Sequence, residues 1–344
     1  MKLSRRARRV AVYGGGGLGA TSVIGAGVAA VMWGEVKLAE RRIPSATEPP
    51  PISHDTIWAA PGVSVARPPI RIALLGDSTA AGYGVQRDRD TPAAQLAIGI
   101  SAAARRPVHV TNVAVVGAES KHLPEQYDAL GTARIELAVI MIGANDVTEL
   151  TKPAEAVPFL EDLVRKLRTR GAEVIVGTCP DLGTIRPISQ PLRAYARRLS
   201  RRMAREQTVA VVRSGGRTVS LGDVLGPLFA SRLELFAADR FHPSEEGYRE
   251  AALAVLPSAL DALGVRTRAR SASTFTTRLA KPLEKAAAQA AARPGSEVAP
   301  SETPMTARRG AGGTWARLRR RRPRVPLEVR TEAALPVRPE EAAQ

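Results

Sequence analysis

From residue 70 to about residue 265, short β-branched runs alternate with stretches of helical period, and this alternation limits the fold more than any other feature of the chain. Strands joined through helices run parallel, and a parallel sheet must be covered on both faces. The pattern predicts an α/β domain with strands over 70–75, 108–113, 137–142, 173–178 and 208–212. It places helices over 91–104, 119–133, 153–170, 187–206 and 245–263. Ser244 opens the last as N-cap, with Glu245 and Glu246 in its first turn.

The flanks differ in composition. Of a formal net charge of +17, five basic groups sit in residues 1–9, and residues 266–344 hold seventeen Lys or Arg against seven Glu. The middle is close to neutral, so the basic character belongs to the ends. Residues 10–34 carry no charge and are long enough to span a bilayer. Tyr13 and Trp33 sit near the ends of this run, and the arginines before it argue for a cytoplasmic amino terminus with the body outside. An uncleaved single-pass anchor is the preferred reading. A signal peptide cut near Val28-Ala29-Ala30, giving a secreted protein, and a segment that does not insert are the alternatives. Residues 35–69, with seven prolines, read as a stiff linker. Residues 266–344 are expected to be a basic disordered tail, with a weak Ala-rich helix over 276–292. The arginines 317–324 are either a solvated charge block or a patch for anionic lipid or a cell-surface polyanion. Trp315 is the one aromatic residue among them, so nucleic acid is not an expected partner.

One cysteine, Cys179, allows no internal disulfide, and His54, His109, His122 and His242 show no ligand spacing that would suggest a metal. The run Gly14 to Gly19 satisfies GxGxxG but lacks a βαβ setting and reads as small residues in a membrane helix.

Chemistry-bearing residues gather at strand ends, where open parallel sheets bind ligands. The first strand leads into Gly76-Asp77-Ser78. A serine hydroxyl needs a base within reach and a group that orients the base. Asp239-Arg240-Phe241-His242-Pro243-Ser244 offers a carboxylate and an imidazole three residues apart. Alone, this motif is equally a loop leading into a helix with an ordinary surface histidine. Gly117 after the second strand and Asn145 in Gly143-Ala144-Asn145-Asp146 could donate to an oxyanion, or could serve as a turn glycine and a helix cap.

In this order the four blocks resemble those of the SGNH/GDSL hydrolases over about residues 70–263: Gly76-Asp77-Ser78, Gly117, Gly143-Ala144-Asn145-Asp146 and Asp239-Arg-Phe-His242-Pro-Ser. The resemblance implies a flavodoxin-like three-layer α/β/α fold, its five parallel strands in the order 2-1-3-4-5. It implies a serine esterase or lipase with catalytic Ser78, His242 and Asp239, and an oxyanion hole from the N–H groups of Ser78 and Gly117 with the Asn145 amide. No metal or organic cofactor is expected. The substrate would be an ester, of an acyl lipid or an acylated sugar. Cell-wall carbohydrate O-deacetylation or O-acetyl transfer is the alternative chemistry, and a non-catalytic surface adaptor is the alternative class.

Overall fold

The computed structural model describes residues 50–51, 55–185, 189–221, 232–265, 281–292, 296–300, 315–320 and 336–337. The basic start, the apolar run 10–34, most of the linker and much of the tail, with the expectations placed on them, lie outside these residues. Among the described residues no helix is long and apolar enough to cross a membrane.

Five parallel strands form the centre: β2 (Ile70–Gly76), β3 (Val108–Asn112), β4 (Leu137–Met141), β5 (Glu173–Gly177) and β6 (Arg217–Val219). Across the sheet they run β3-β2-β4-β5-β6, which is 2-1-3-4-5 when these five are counted along the chain. Alternate residues of β2 serve opposite layers, as the two-residue period of a strand requires. Ile70, Ile72 and Leu74 pack under α2 (Pro92–Ala104) and α7 (Glu245–Ala262), where Leu96, Ile100 and Val255 meet them. Ala73 and Leu75 face α3 (Leu123–Ala129), α5 (Pro153–Thr169) and Val211 of α6 (Leu192–Arg213). This is a three-layer α/β/α sandwich. Each fully buried Leu, Ile or Val contributes about 1.5–3 kcal/mol relative to exposure.

Three expectations change. Residues 208–212 are not a strand but the last turns of α6, and the fifth strand is the three-residue β6, reached through Gly215-Gly216. Val211 faces the sheet, whereas Val209 and Val212 are covered from outside, so the last turns of the helix are apolar all round and the period disappears there. The linker's end is not a spacer: β1 (Asp55–Trp58) pairs antiparallel with β3, and Trp58 is buried in the core.

The tail is not disordered where it is described. Strand β8 (Ser296–Pro300) pairs antiparallel with β6; β9 (Trp315–Arg320) follows it, and β7 (Lys281–Pro282) follows β9. Strand β10 (Pro336–Val337) adds to β1 at the opposite edge. Helix α8 (Leu283–Ala291) buries Leu283, Ala286, Ala287 and Ala290 against Val209 and Val212. Alanine-rich composition signals little burial per residue, yet small side chains let this helix lie close to α6.

Candidate active site

Strand β2 ends at Gly76, whose φ is +132°. A Cβ there would stand 1.9 Å from the Met141 carbonyl oxygen of β4, so only glycine lets the two strands close at this point. The Gly76 N–H donates to the side-chain oxygen of buried Gln126 at 2.7 Å, and the Gln126 amide N–H donates back to the Gly76 carbonyl at 2.8 Å. Asp77 caps the short helix α1 (Ser78–Ala81), accepting from the Thr79 N–H at 2.9 Å. Ser78 is the first residue of that helix, so its N–H has no intrahelical acceptor.

The Ser78 Oγ lies 3.0 Å from His242 Nε2, and His242 Nδ1 lies 2.6 Å from Asp239 Oδ2. The other Asp239 oxygen accepts from the N–H groups of Phe241, at 2.9 Å, and His242, at 3.0 Å, which makes Asp239 to His242 a self-closed turn. Arg240 takes a left-handed φ of 55° within it. The turn is anchored by the Ala237 N–H donating to the His242 carbonyl and by the bridge between Phe236 and Pro243. Tyr83 and Phe241 set their rings edge-on to the imidazole, at 4.6 and 4.9 Å between centroids. The Tyr248 hydroxyl holds Tyr83 by donating to its carbonyl.

Two carboxyls here depart in opposite directions. Burial pushes Asp77 up to about 6, against which the hydrogen bonds from Thr79 act only partly. Burial also raises Asp239, but its hydrogen bonds from the His242 ring and from the Phe241 and His242 N–H groups outweigh that and hold it below the ordinary carboxylate range.

Asn145 stands in α4 (Ala144–Thr148) and lines the same pocket as Ser78 and His242. Its Nδ2 donates to the Ala118 carbonyl at 2.9 Å, which ties it to the loop carrying Gly117. Gly117 itself is on the exposed part of that loop, at φ +80°, with open space where a side chain would be. Three of the five residues singled out from sequence, Ser78, His242 and Asn145, thus line one pocket, Asp239 stands behind His242, and Gly117 is linked through its neighbour. Sequence reasoning missed what holds them. Buried Asp146 accepts from the Ser120 N–H at 3.1 Å and from its hydroxyl at 2.9 Å, and Asn112 spans from the Ala114 N–H to the Ala80 carbonyl. Asp146 closes the third block and Asn112 ends β3 five residues before Gly117, polar positions visible in the sequence whose partners exist only once the chain folds. The pocket holds about 60 Å³, with Met141, Ile142, Ile185, Leu221, Phe236 and Phe241 among its walls.

The profile of the GDSL-like lipase/acylhydrolase family matches residues 74–250. The GDSL-like esterase Rv1075c of Mycobacterium tuberculosis is 39% identical over 267 residues, which cover 75% of this chain and 85% of that one. The chain belongs to the GDSL-like lipase/acylhydrolase family. It is accordingly an esterase-type hydrolase. Among solved structures, the acetylxylan esterase Axe2 of Geobacillus stearothermophilus is 18% identical, with a TM-score of 0.43 over 60% of this chain and 100% of that one. LAE5, an alpha/beta hydrolase enzyme from the metagenome of Lake Arreo, Spain, is 20% identical, with a TM-score of 0.45 over 59% and 100%. Within this GDSL-like hydrolase the matched span runs from the end of β2 into α7 and so contains all four blocks.

Proposed function

We propose that the protein hydrolyses carboxylic esters of short acyl chains through an acyl-enzyme on Ser78. The observation that carries this reading is the continuous relay from Ser78 Oγ to His242 Nε2 at 3.0 Å and from His242 Nδ1 to Asp239 Oδ2 at 2.6 Å. With the imidazole proton on Nδ1, donated to Asp239, the free Nε2 takes the Ser78 proton as Oγ bonds to the acyl carbon. The carbonyl π pair moves onto oxygen. The N–H groups of Ser78 and Gly117 and the Asn145 amide are the donors for that oxyanion, and one such donor is worth roughly 2.7–4 kcal/mol of barrier. Collapse expels the alkoxide, which leaves with the proton from Nε2. Water, deprotonated by the same nitrogen, then attacks the acyl group and returns Ser78 to its starting state.

The preference for short chains is supported by the pocket. A water needs roughly 10–15 Å³ of such space, so about 60 Å³ between the described walls holds an acyl group of a few heavy atoms. This size also favours acetyl esters of carbohydrates over acyl lipids as the natural class. The uncharged run 10–34 supports a setting outside the cytoplasmic membrane, tethered to it.

The full chain should hydrolyse p-nitrophenyl esters from acetyl to butanoyl and lose activity beyond about six acyl carbons. Ser78→Ala should lower kcat by roughly 10⁴–10⁶ with an unchanged circular dichroism spectrum. Undiminished turnover in that variant would remove Ser78 from the chemistry, and an optimum at palmitoyl would overturn the short-chain assignment.

A further inference from the structure

Helix α6 carries Arg193, Arg197, Arg198, Arg201, Arg202 and Arg205 in its first fourteen residues, and Glu206 is the one acidic residue of the whole helix. All but Arg193 are exposed. The helix has no acidic residue in its first turn and carries Arg193 there, so its amino-terminal charge opposes the macrodipole rather than complements it. Arg193 and Arg197, Arg197 and Arg201, Arg198 and Arg202, and Arg201 and Arg205 stand four residues apart, and like charges at that spacing destabilise a helix. The neighbouring α5 is built the usual way, with Glu161 beside Arg165 and Asp162 beside Lys166 at the same spacing. A face needed only for packing would resemble α5.

Neutralisation is partial. Asp181 sits 3.4 Å from Arg197 and 3.2 Å from Arg201, one carboxylate for two guanidiniums. Glu284 of α8 serves both Arg205, at 3.8 Å, and Arg213, at 3.1 Å. Arg193, Arg198 and Arg202 form no ion pair among the described residues. The carboxy-terminal helix covers the second half of α6, where Val209 and Val212 lie, and among the described residues nothing covers the exposed arginines of the first half.

The open half begins at the pocket. Arg197 donates to the Gly183 carbonyl at 2.9 Å, and Leu182, Thr184 and Ile185 on either side of that glycine wall the pocket beside Ser78. From Arg193 to Arg205 the row extends about 18 Å along the helix, long enough to contact successive charges of a polymer. A face that docks on a bilayer mixes cations with inserted apolar side chains. Here the exposed ring of Tyr195 is the one large apolar group among the arginines.

We propose that this face is a subsite for an anionic polymer, and that the ester presented to Ser78 is carried on a polyanionic chain bearing carboxylate or phosphate groups. This deepens the esterase reading and rests on it for the ester. The planar guanidinium suits either anion through paired N–H donors.

The test compares the full chain with the double variant Arg198→Gln, Arg202→Gln, which removes two charges that have no ion pair among the described residues and leaves the tail intact. On O-acetylated polygalacturonate, kcat/KM should exceed that on neutral O-acetylated dextran by about tenfold at low salt, the order expected of electrostatic steering. The advantage should vanish near about 0.5 M NaCl. In the variant it should fall at least threefold while p-nitrophenyl acetate is turned over as before. Equal rates on the two polymers, or an advantage that survives the substitutions, overturns the proposal. Calorimetric binding of inorganic polyphosphate separates the two readings. If no ester is hydrolysed but polyphosphate binds more weakly to the variant, the anionic subsite stands and the esterase reading falls; equal binding to both chains removes the subsite. Sedimentation with phosphatidylglycerol vesicles that depends on these arginines, without any preference for the anionic polymer, would assign the face to a membrane instead.

Discussion

At the scale of single residues, Asp77 and Asp239 draw opposite consequences from the same site. Asp77 titrates near 6 in the folded chain against 3.8 for a free carboxyl. Between those values the native state keeps a proton that the unfolded chain has released, so stability falls as pH rises from about 4 to about 6, and the cost is fully present above that. Asp239 is held low, so its contribution is present above the ordinary carboxylate range and is lost as pH falls through its depressed value. Asp77→Asn retains an N-cap side chain and removes the buried charge. It should flatten the fall in melting temperature between pH 4 and 6 and gain on the order of 1–3 kcal/mol at pH 7. Thermal melts at several pH values decide this, and a slope equal to that of the parent chain would mean that Asp77 is not the group responsible.

At the scale of elements, two of the three proposed oxyanion donors, Gly117 and Asn145, come from separate pieces of chain, the loop after β3 and the start of α4. Nothing in either piece alone sets their spacing. The buried Asp146 carboxylate does so by accepting from both the N–H and the hydroxyl of Ser120, while Asn145 reaches the Ala118 carbonyl from the same turn. If Asn145 and Gly117 hold the oxyanion as proposed, Asp146 is a positioning residue that acts through them. Asp146→Asn replaces one of the two acceptor oxygens by an NH2 that faces the Ser120 donors. It should lower kcat by roughly 10–100-fold, less than outright loss of an oxyanion donor, with KM nearly unchanged, because these donors act on charge that develops in the transition state. A rise in KM with kcat intact would place Asp146 in substrate binding instead.

At the scale of the whole molecule, the carboxy-terminal segment completes the domain. Strand β6 is three residues long and would be an open edge; β8 closes it, with Thr218 opposite Val298 and Val219 opposite Glu297. Helix α8 covers Val209 and Val212. A chain ending at residue 265 exposes those two side chains, a loss of several kcal/mol at about 1.5–3 kcal/mol each. Its melting temperature should drop by roughly 10 °C and it should bind a hydrophobic dye such as ANS. Scanning calorimetry of the two chains is the check, and an unchanged melting temperature would show that the hydrolase core stands without the segment.

Local pattern in the sequence gives four of the five parallel strands, most of the helices around them, and Ser78, Asp239, His242, Gly117 and Asn145 as candidates, because strand and helix periods and short polar blocks are local, while the strand order came from the family resemblance. It pointed the wrong way at 208–212, where burial on both sides erases helical period, and at the tail, where alanine hides how well a small-residue helix packs. Only the tertiary structure decided that the hydroxyl, imidazole and carboxylate meet, what walls the pocket, and which arginines of α6 remain open. Those are matters of pairing between segments far apart in the chain, and local pattern carries no record of the partner.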